Sequence, residues 1–527
     1  MSGLKDRLRR YVGQSPSQGE ISESEKETDK GRGSDGEQPE EPSASVEGSF
    51  AQEGVGADAA QPMVAEAEDP QSQEEWEESL GAQWDRLEAV LVHTQEGDFI
   101  RRSLRYSHEY VHGSCRLADL YGCAGELAAF AKDAVGQGVS AEDMVFFDTE
   151  TTGLGHGAGN VAFMVGLGYW QKETFIVEQL FIRNPAEELA MLSYLKKRLE
   201  CFRFMVSYNG KSFDWPLLQT RFVMHRMRGP DPEPFHLDFL YASRSLWRHT
   251  LPSCKLGKVE ETQLDFVRED DVPGSMAPAL YFLYLAEKKP DSIAPVFLHN
   301  GMDILSLAGL AVLFAKALKG DYNALNRVPE EQFRYGLWLS RMGCSQLAGV
   351  TMDQLYHGVL SDGEKGAACQ YLATPLAAYY KQNGQWEQAS ALWCKVIASG
   401  KETPSSLGPS LIPYIEMAMY CEHRQKNYED ALLYADEALQ WAEEKHRLLQ
   451  AASKRASGRT KASRKRPGAI PLEEELLELA GGADKAGKPD KAGEMAKELK
   501  KRTERLRKKL QRSGQQTRYA GEEQAEA

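Results

Sequence analysis

Apolar positions along this chain follow two rhythms. Between residues 83 and 320 short apolar runs alternate with stretches spaced three and four apart, whereas from about 321 to 447 the helical spacing continues almost alone. Candidate strands fall at 99–106, 144–147, 161–170, 174–182 and 204–208. The run from 144 to 182 packs three of them in quick succession, as consecutive antiparallel neighbours require. A helix over 186–202 leads into the strand at 204, and helices follow near 212–226, 237–247, 276–287 and 302–318. Strands first, then helices around a further strand, predict an α/β fold whose mixed sheet is flanked by helices. Folded sequence is expected to begin near Trp84.

The all-helical stretch contains a loose repeat. Gly384-Gln385-Trp386-Glu387-Gln388-Ala389 opens one helix running to Ala398, and Lys426-Asn427-Tyr428-Glu429-Asp430-Ala431 opens another running to Glu444. An aromatic followed by a small residue lets paired helices approach closely, and each unit resembles the second half of a tetratricopeptide repeat. The offset is about 42 residues rather than 34, and an insert at 403–410 accounts for the excess. The resemblance implies a protein-docking role; a plain helical cap would give the same pattern.

Length and charge set the organisation. A chain of 527 residues exceeds what one core usually supports, so two or three domains are expected. Residues 16–80 hold about twenty acidic side chains against three basic ones and lack periodicity, too little apolar surface to fold. The net charge of −15 is therefore uneven: basic clusters sit at 454–466 and 497–512. These features divide the chain into a disordered acidic region 1–82, an α/β domain 83–320, a tetratricopeptide-like domain 321–450 and a basic, largely disordered or helical tail 451–527. A polyanion could meet that tail, and a solvated end would look the same. Eight scattered cysteines without a CxxC pair suit a reduced, cytoplasmic interior. No apolar run reaches the roughly 18 residues of a membrane span, so no membrane partner is expected.

Candidate chemistry lies at the edges of the apolar elements. Asp148 and Glu150 end a strand-like run, two residues apart and hence on one face. Asp214 stands where the 204–208 strand enters a helix, and His299 and Asp303 are one helical turn apart. Asp148 also suits a capped turn through Thr151, Thr152 and Gly153. Four carboxylates so placed are what two Mg²⁺ or Mn²⁺ ions need for phosphodiester hydrolysis, with a neutral His299 near pH 7 accepting the proton of water. Asn300 is a lesser candidate for orienting that water. His236 and Asp238 read as a histidine and a helix N-cap more readily than as substrate contacts.

Asp148-Thr149-Glu150-Thr151-Thr152-Gly153-Leu154, Asn209 to Phe213-Asp214, and His299 to Asp303 resemble, in that order, the DEDD (DnaQ-like) 3′-to-5′ exonucleases of the ribonuclease H-like superfamily. The third motif departs from pattern, because its histidine stands at the spacing the family's other branch uses for tyrosine. The glycine-rich 155–160 segment, His112-Gly113 and Lys255-Leu256-Gly257-Lys258-Val259-Glu260 are similar to the YprB-like group within that superfamily. The resemblance covers roughly residues 83 to 320. It implies a ribonuclease H-like fold, 3′-to-5′ exonuclease activity on DNA or RNA, metal ligands Asp148, Glu150, Asp214 and Asp303, a catalytic His299, and substrate contacts at Thr149, Thr152, Leu154, Asn209 and Phe213. A ribonuclease H-type endonuclease would use the same carboxylates, and a non-catalytic scaffold binding nucleic acid or protein would lose one. All four are present.

Overall fold

A computed structural model describes residues 83–131, 138–153, 159–269, 271–321, 328–361, 363–402, 409–457 and 491–525. Among them, seven strands form one sheet and two short strands a separate ladder. The strands are β1 (Ala89–Thr94), β2 (Gly97–Tyr106), β3 (Val111–His112), β4 (Cys115–Arg116), β5 (Met144–Thr151), β6 (Ala162–Gln171), β7 (Thr174–Phe181), β8 (Phe204–Ser207) and β9 (Phe235–Asp238). The large sheet runs β1-β2-β7-β6-β5-β8-β9. Pairings from β1 to β5 are antiparallel, and β5-β8 and β8-β9 are parallel. The sheet is mixed, as the sequence predicts. Strands β5, β6 and β7 are almost wholly buried because helices cover both faces, so their sequences read as apolar runs rather than alternations. Trp84, 2% exposed, packs against Phe181, Tyr284 and Phe297 at the start of the described chain.

Six helices belong to this region: α1 (Glu188–Leu199), α2 (Asp214–Met224), α3 (Phe239–Trp247), α4 (Leu256–Gln263), α5 (Ala277–Glu287) and α6 (Ala294–Lys319). Helix α6 begins eight residues before the expected start, with Pro295 tolerated in the first turn, where its missing N–H costs no hydrogen bond. His299 therefore lies inside the helix. Among the described residues α6 is a helix long and apolar enough to cross a membrane, at mean hydropathy 1.7, although no uninterrupted apolar run in it reaches 18 residues. Its polar His299, Asn300 and Asp303 break the run without breaking the helix. Inside the protein 83% of that apolar window is buried, so α6 is the core helix of the region.

The helix crosses the sheet at close range because β6 carries glycines there. A Cβ on Gly168 would come within 2.4 Å of Ile304, and one on Gly166 within 2.3 Å of the Asn300 amide oxygen. Gly166 is the register partner of Asp148, which brings α6 directly over that carboxylate.

Beyond α6 the described residues are helical: α7 (Pro329–Arg341), α8 (Ser345–Leu360), α9 (Glu364–Cys369), α10 (Ala373–Gln382), α11 (Trp386–Glu402), α12 (Ile412–Tyr420), α13 (Tyr428–Ser457) and α14 (Lys491–Ala525). The repeat units open α11 and α13, and α10 and α12 supply their antiparallel partners. Gly384 and Lys426 take left-handed conformations at the two turns, and Ala389 and Ala431, fully buried, let each pair close. Part of the basic tail is the helix α14, whose Leu499 and Leu506 are buried against the helical region.

Candidate functional site

Strand β5 outruns β8. Their pairing ends at Phe146↔Val206, while β5 continues beside β6 through Glu150. Asp148 and Glu150 therefore sit where the parallel neighbour has already turned away into the 208–213 turn. That turn places Asp214 at the first position of α2, held by a bond from the Thr149 hydroxyl to Asp214 Oδ1. Helix α6 brings His299, Asn300 and Asp303 over the same strand ends. His299 Nε2 lies 3.6 Å from Asp303 Oδ2 and 4.0 Å from Glu150 Oε1. The four expected carboxylates and the histidine thus gather from three separate parts of the chain.

Burial and mutual repulsion govern their charge. Asp148 is pushed well above the usual carboxylate range, first by burial and then by Asp303, Asp214 and Glu150. Glu150 rises to about 8 through burial, opposed by His299 and reinforced by Asp303, Asp214 and Asp271. Asp214 rises to about 6 through burial, restrained by the Thr149 hydroxyl and its own backbone N–H. The cluster is short of positive charge. Hard oxygen donors in that state suit a divalent cation, which would replace the protons they otherwise retain.

The placement is nevertheless not a closed cage. Among the described residues no three His, Cys, Asp or Glu side chains converge as a ready metal-holding group. Arg268, absent from the sequence reading, bonds through Nη2 to Asp303 Oδ1 and through Nη1 to Asp271 Oδ2 at 3.1 Å. It is anchored from behind by Glu260, which Ser306 and, beyond it, His112 support in a buried chain of hydrogen bonds. Gly113 has φ +58, and a Cβ there would meet the Leu264 carbonyl at 2.0 Å. The His112-Gly113 and Lys255 to Glu260 segments therefore hold this arginine in place.

Asp271 is the second residue that sequence reading missed. Both of its carboxylate oxygens lie 2.9 Å from His299 Nδ1, which leaves Nε2 toward Glu150 and Asp303. Burial disfavours the imidazolium, but the bond to Asp271 and the charges of Asp303 and Glu150 outweigh it and raise His299 to about 9. The expected neutral imidazole near pH 7 is corrected accordingly: with these carboxylates uncompensated, the ring is charged. The signal for both missed residues was the charged string 268–271 before Pro273-Gly274, ahead of an apolar helix.

Asn300 also differs from expectation. Fully buried, it donates to Asp148 Oδ2 at 3.0 Å and accepts from Gln179 at 2.9 Å, so its amide fixes the carboxylate instead of facing a water. Thr152 closes the β5-β6 hairpin, its hydroxyl accepting from Val161 N at 3.0 Å. Asn209 adopts φ +70 in the turn before Asp214, and Phe213 precedes α2. Asp238 is an N-cap: it accepts from Leu240 N and also from the amides of Asn209 and Lys211. Leu154 and the glycine-rich residues 155–158 lie outside the described residues.

A mixed sheet with acidic residues at its strand ends and on a crossing helix defines a ribonuclease H-like protein. The family model described as the RNase_H superfamily matches residues 145–315. The uncharacterized protein YprB of Bacillus subtilis (strain 168) is 32% identical over 304 residues, 58% of this chain and 70% of that protein. The chain belongs to the YprB-like family of the RNase_H superfamily. It has a nuclease-type fold, in a superfamily that typically employs divalent metals.

Proposed function

We propose that this chain is a metal-dependent nuclease that hydrolyses phosphodiester bonds of DNA or RNA, releasing nucleotides from a 3′ end. One observation carries the reading: Asp148, Glu150, Asp214 and Asp303 gather at the end of strand β5 with an imidazole oriented by Asp271. The four carboxylates would hold two Mg²⁺ or Mn²⁺ ions, which supply charge stabilisation to the attacking and leaving oxygens of an in-line displacement. His299 Nε2 would accept the proton of the attacking water as cations offset Asp303 and Glu150, whose charges, after the bond to Asp271, raise the ring. Asp271 holds the ring, and Asn300 holds Asp148. Arg268 must share or release Asp303 for the set to close.

A second reading, a non-catalytic scaffold, is favoured by Arg268 alone, since its guanidinium supplies the positive charge that Asp303 lacks. Purified protein with Mg²⁺ or Mn²⁺ and oligonucleotides labelled at either end decides between them. Progressive loss of 3′ label, abolished by EDTA and by Asp148→Ala, supports the exonuclease. Internal cuts would point to an endonuclease of the same mechanism, and no cleavage under any metal to the scaffold. The helical region is proposed to dock a protein partner.

A further inference from the structure

Beside the acidic cluster, on the far side of the turn that carries Asp214, lies a second cavity. It measures about 460 Å³, within the range of small-ligand sites. One wall is the α/β region, with Lys211, His236 and Tyr241, and the other is α7, with Trp338 and Arg341. The cavity neighbours the cluster through short steps. A Cβ on Gly210 would meet Ser207 Oγ at 2.6 Å and Asp214 Oδ2 at 3.2 Å, and Ser207 Oγ bonds His236 Nε2 at 2.6 Å.

The lining sets two cations beside an exposed aromatic face. Among the described residues neither the Lys211 ammonium nor the Arg341 guanidinium lies within 4 Å of a carboxylate oxygen, and the guanidinium bonds the Leu337 carbonyl at 3.3 Å. Asp238, also in the lining, accepts from three backbone N–H groups and feels the Lys211 charge, while Arg341 is left to the cavity. His236 Nδ1 is buried with no hydrogen-bond partner. Tyr241 is 53% exposed, and its hydroxyl is tied to Ser212 at 2.9 Å, so the ring is held while its face stays open. Fixed positive charge beside an exposed aromatic face is the pairing by which proteins hold a phosphate and a base together.

We propose that this cavity binds one nucleotide unit of a single strand, its phosphate between Lys211 and Arg341 and its base against Tyr241. The proposal deepens the nuclease reading and rests on it only for the class of ligand. The helical region thereby contributes to substrate capture through Arg341, which the α/β fold alone would not.

The test is binding, in EDTA, where no hydrolysis occurs and failure of the nuclease reading does not affect the outcome. Fluorescence anisotropy of the full chain with a labelled single-stranded 12-mer, DNA and RNA, is measured against salt. All three side chains are exposed, so Lys211→Ala, Tyr241→Ala and Arg341→Glu should fold. Arg341→Glu and Tyr241→Ala are each expected to weaken binding about tenfold, and Lys211→Ala about threefold with the salt slope lowered by about 0.7. Unchanged affinity in all three variants overturns the proposal. So does the result that adenosine 5′-monophosphate binds the wild type and not the variants while strand affinity stays the same, since the cavity would then serve a free nucleotide.

Discussion

Two buried charge clusters in this molecule are built with opposite balance. In the helical region the side chain of Glu422 is fully buried and faces three cations, Arg505 at 2.8 Å, Lys509 at 2.9 Å and Arg502 at 3.5 Å, all from α14. Burial alone would raise its pKa, but the bonds from Lys509 and Arg505 hold it below the ordinary value. At the end of strand β5, carboxylates outnumber cations: among the described residues Asp148, Glu150, Asp214, Asp303, Asp271 and Glu260 meet Arg268 and His299 alone. There the same kind of side chain is driven the other way. A cluster with its charge satisfied works as an anchor, and one left in deficit is poised for a ligand.

The largest expected effect breaks the deficit cluster. Asp148→Ala or Asp303→Ala should lower kcat/KM on a labelled oligonucleotide at least about a thousandfold, or roughly 4 kcal/mol. Activity persisting in both variants would remove the sheet edge from the chemistry.

Deleting residues 491–525 tests the anchor. It strips Glu422 of all three cations and removes buried Leu499 and Leu506, so the helical region should lose about 3–5 kcal/mol in denaturant unfolding. Turnover at saturating substrate should stay within about twofold. A change of less than about 1 kcal/mol would mean α14 only rests on the surface.

His299→Ala should cost about a hundredfold in kcat while Mn²⁺ binding, followed by calorimetry, is retained. Asp271→Asn should move in the same direction by a smaller factor. Equal rates for wild type and both variants would leave the water's proton to another group.

The smallest effect is on stability against pH. Glu150 rises from 4.5 to about 8 and His299 from 6.5 to about 9, so the folded state binds more protons than the unfolded chain across this window. Stability in EDTA is therefore expected to fall as pH rises from about 5 to 9. Divalent cation should restore Tm by several degrees at pH 8 and by less at pH 6, where protons compete. A Tm rising with pH in EDTA would contradict this charge balance.

Much of the site was legible because its carriers are local. Asp148 and Glu150 follow an apolar strand, Asp214 opens a helix, and Asp303 sits on a helical face; each placement follows from periodicity within about ten residues. The start of α6 was hidden by His299-Asn300-Gly301, which interrupt the apolar pattern although the helix runs through them. Strand β9 was missed, its last two residues counted into the helix expected at 237–247, because four residues, two of them polar, give no period to measure. Arg268 and Asp271 were illegible for a different reason. Their roles depend on partners 35 and 28 residues away, and only tertiary contact reveals such pairing. The fold-level match through His112-Gly113 marked the right segments without showing that they brace Arg268.

The glycines of β6 have a mechanical meaning. With Gly166 and Gly168 leaving room for nothing larger, strand and helix are in hard contact, and the span between Asp148 on one and Asp303 on the other is set by a stop rather than by springy side chains. Such a joint has almost no compliance. The carboxylates of strand and helix are thereby kept at a fixed gauge.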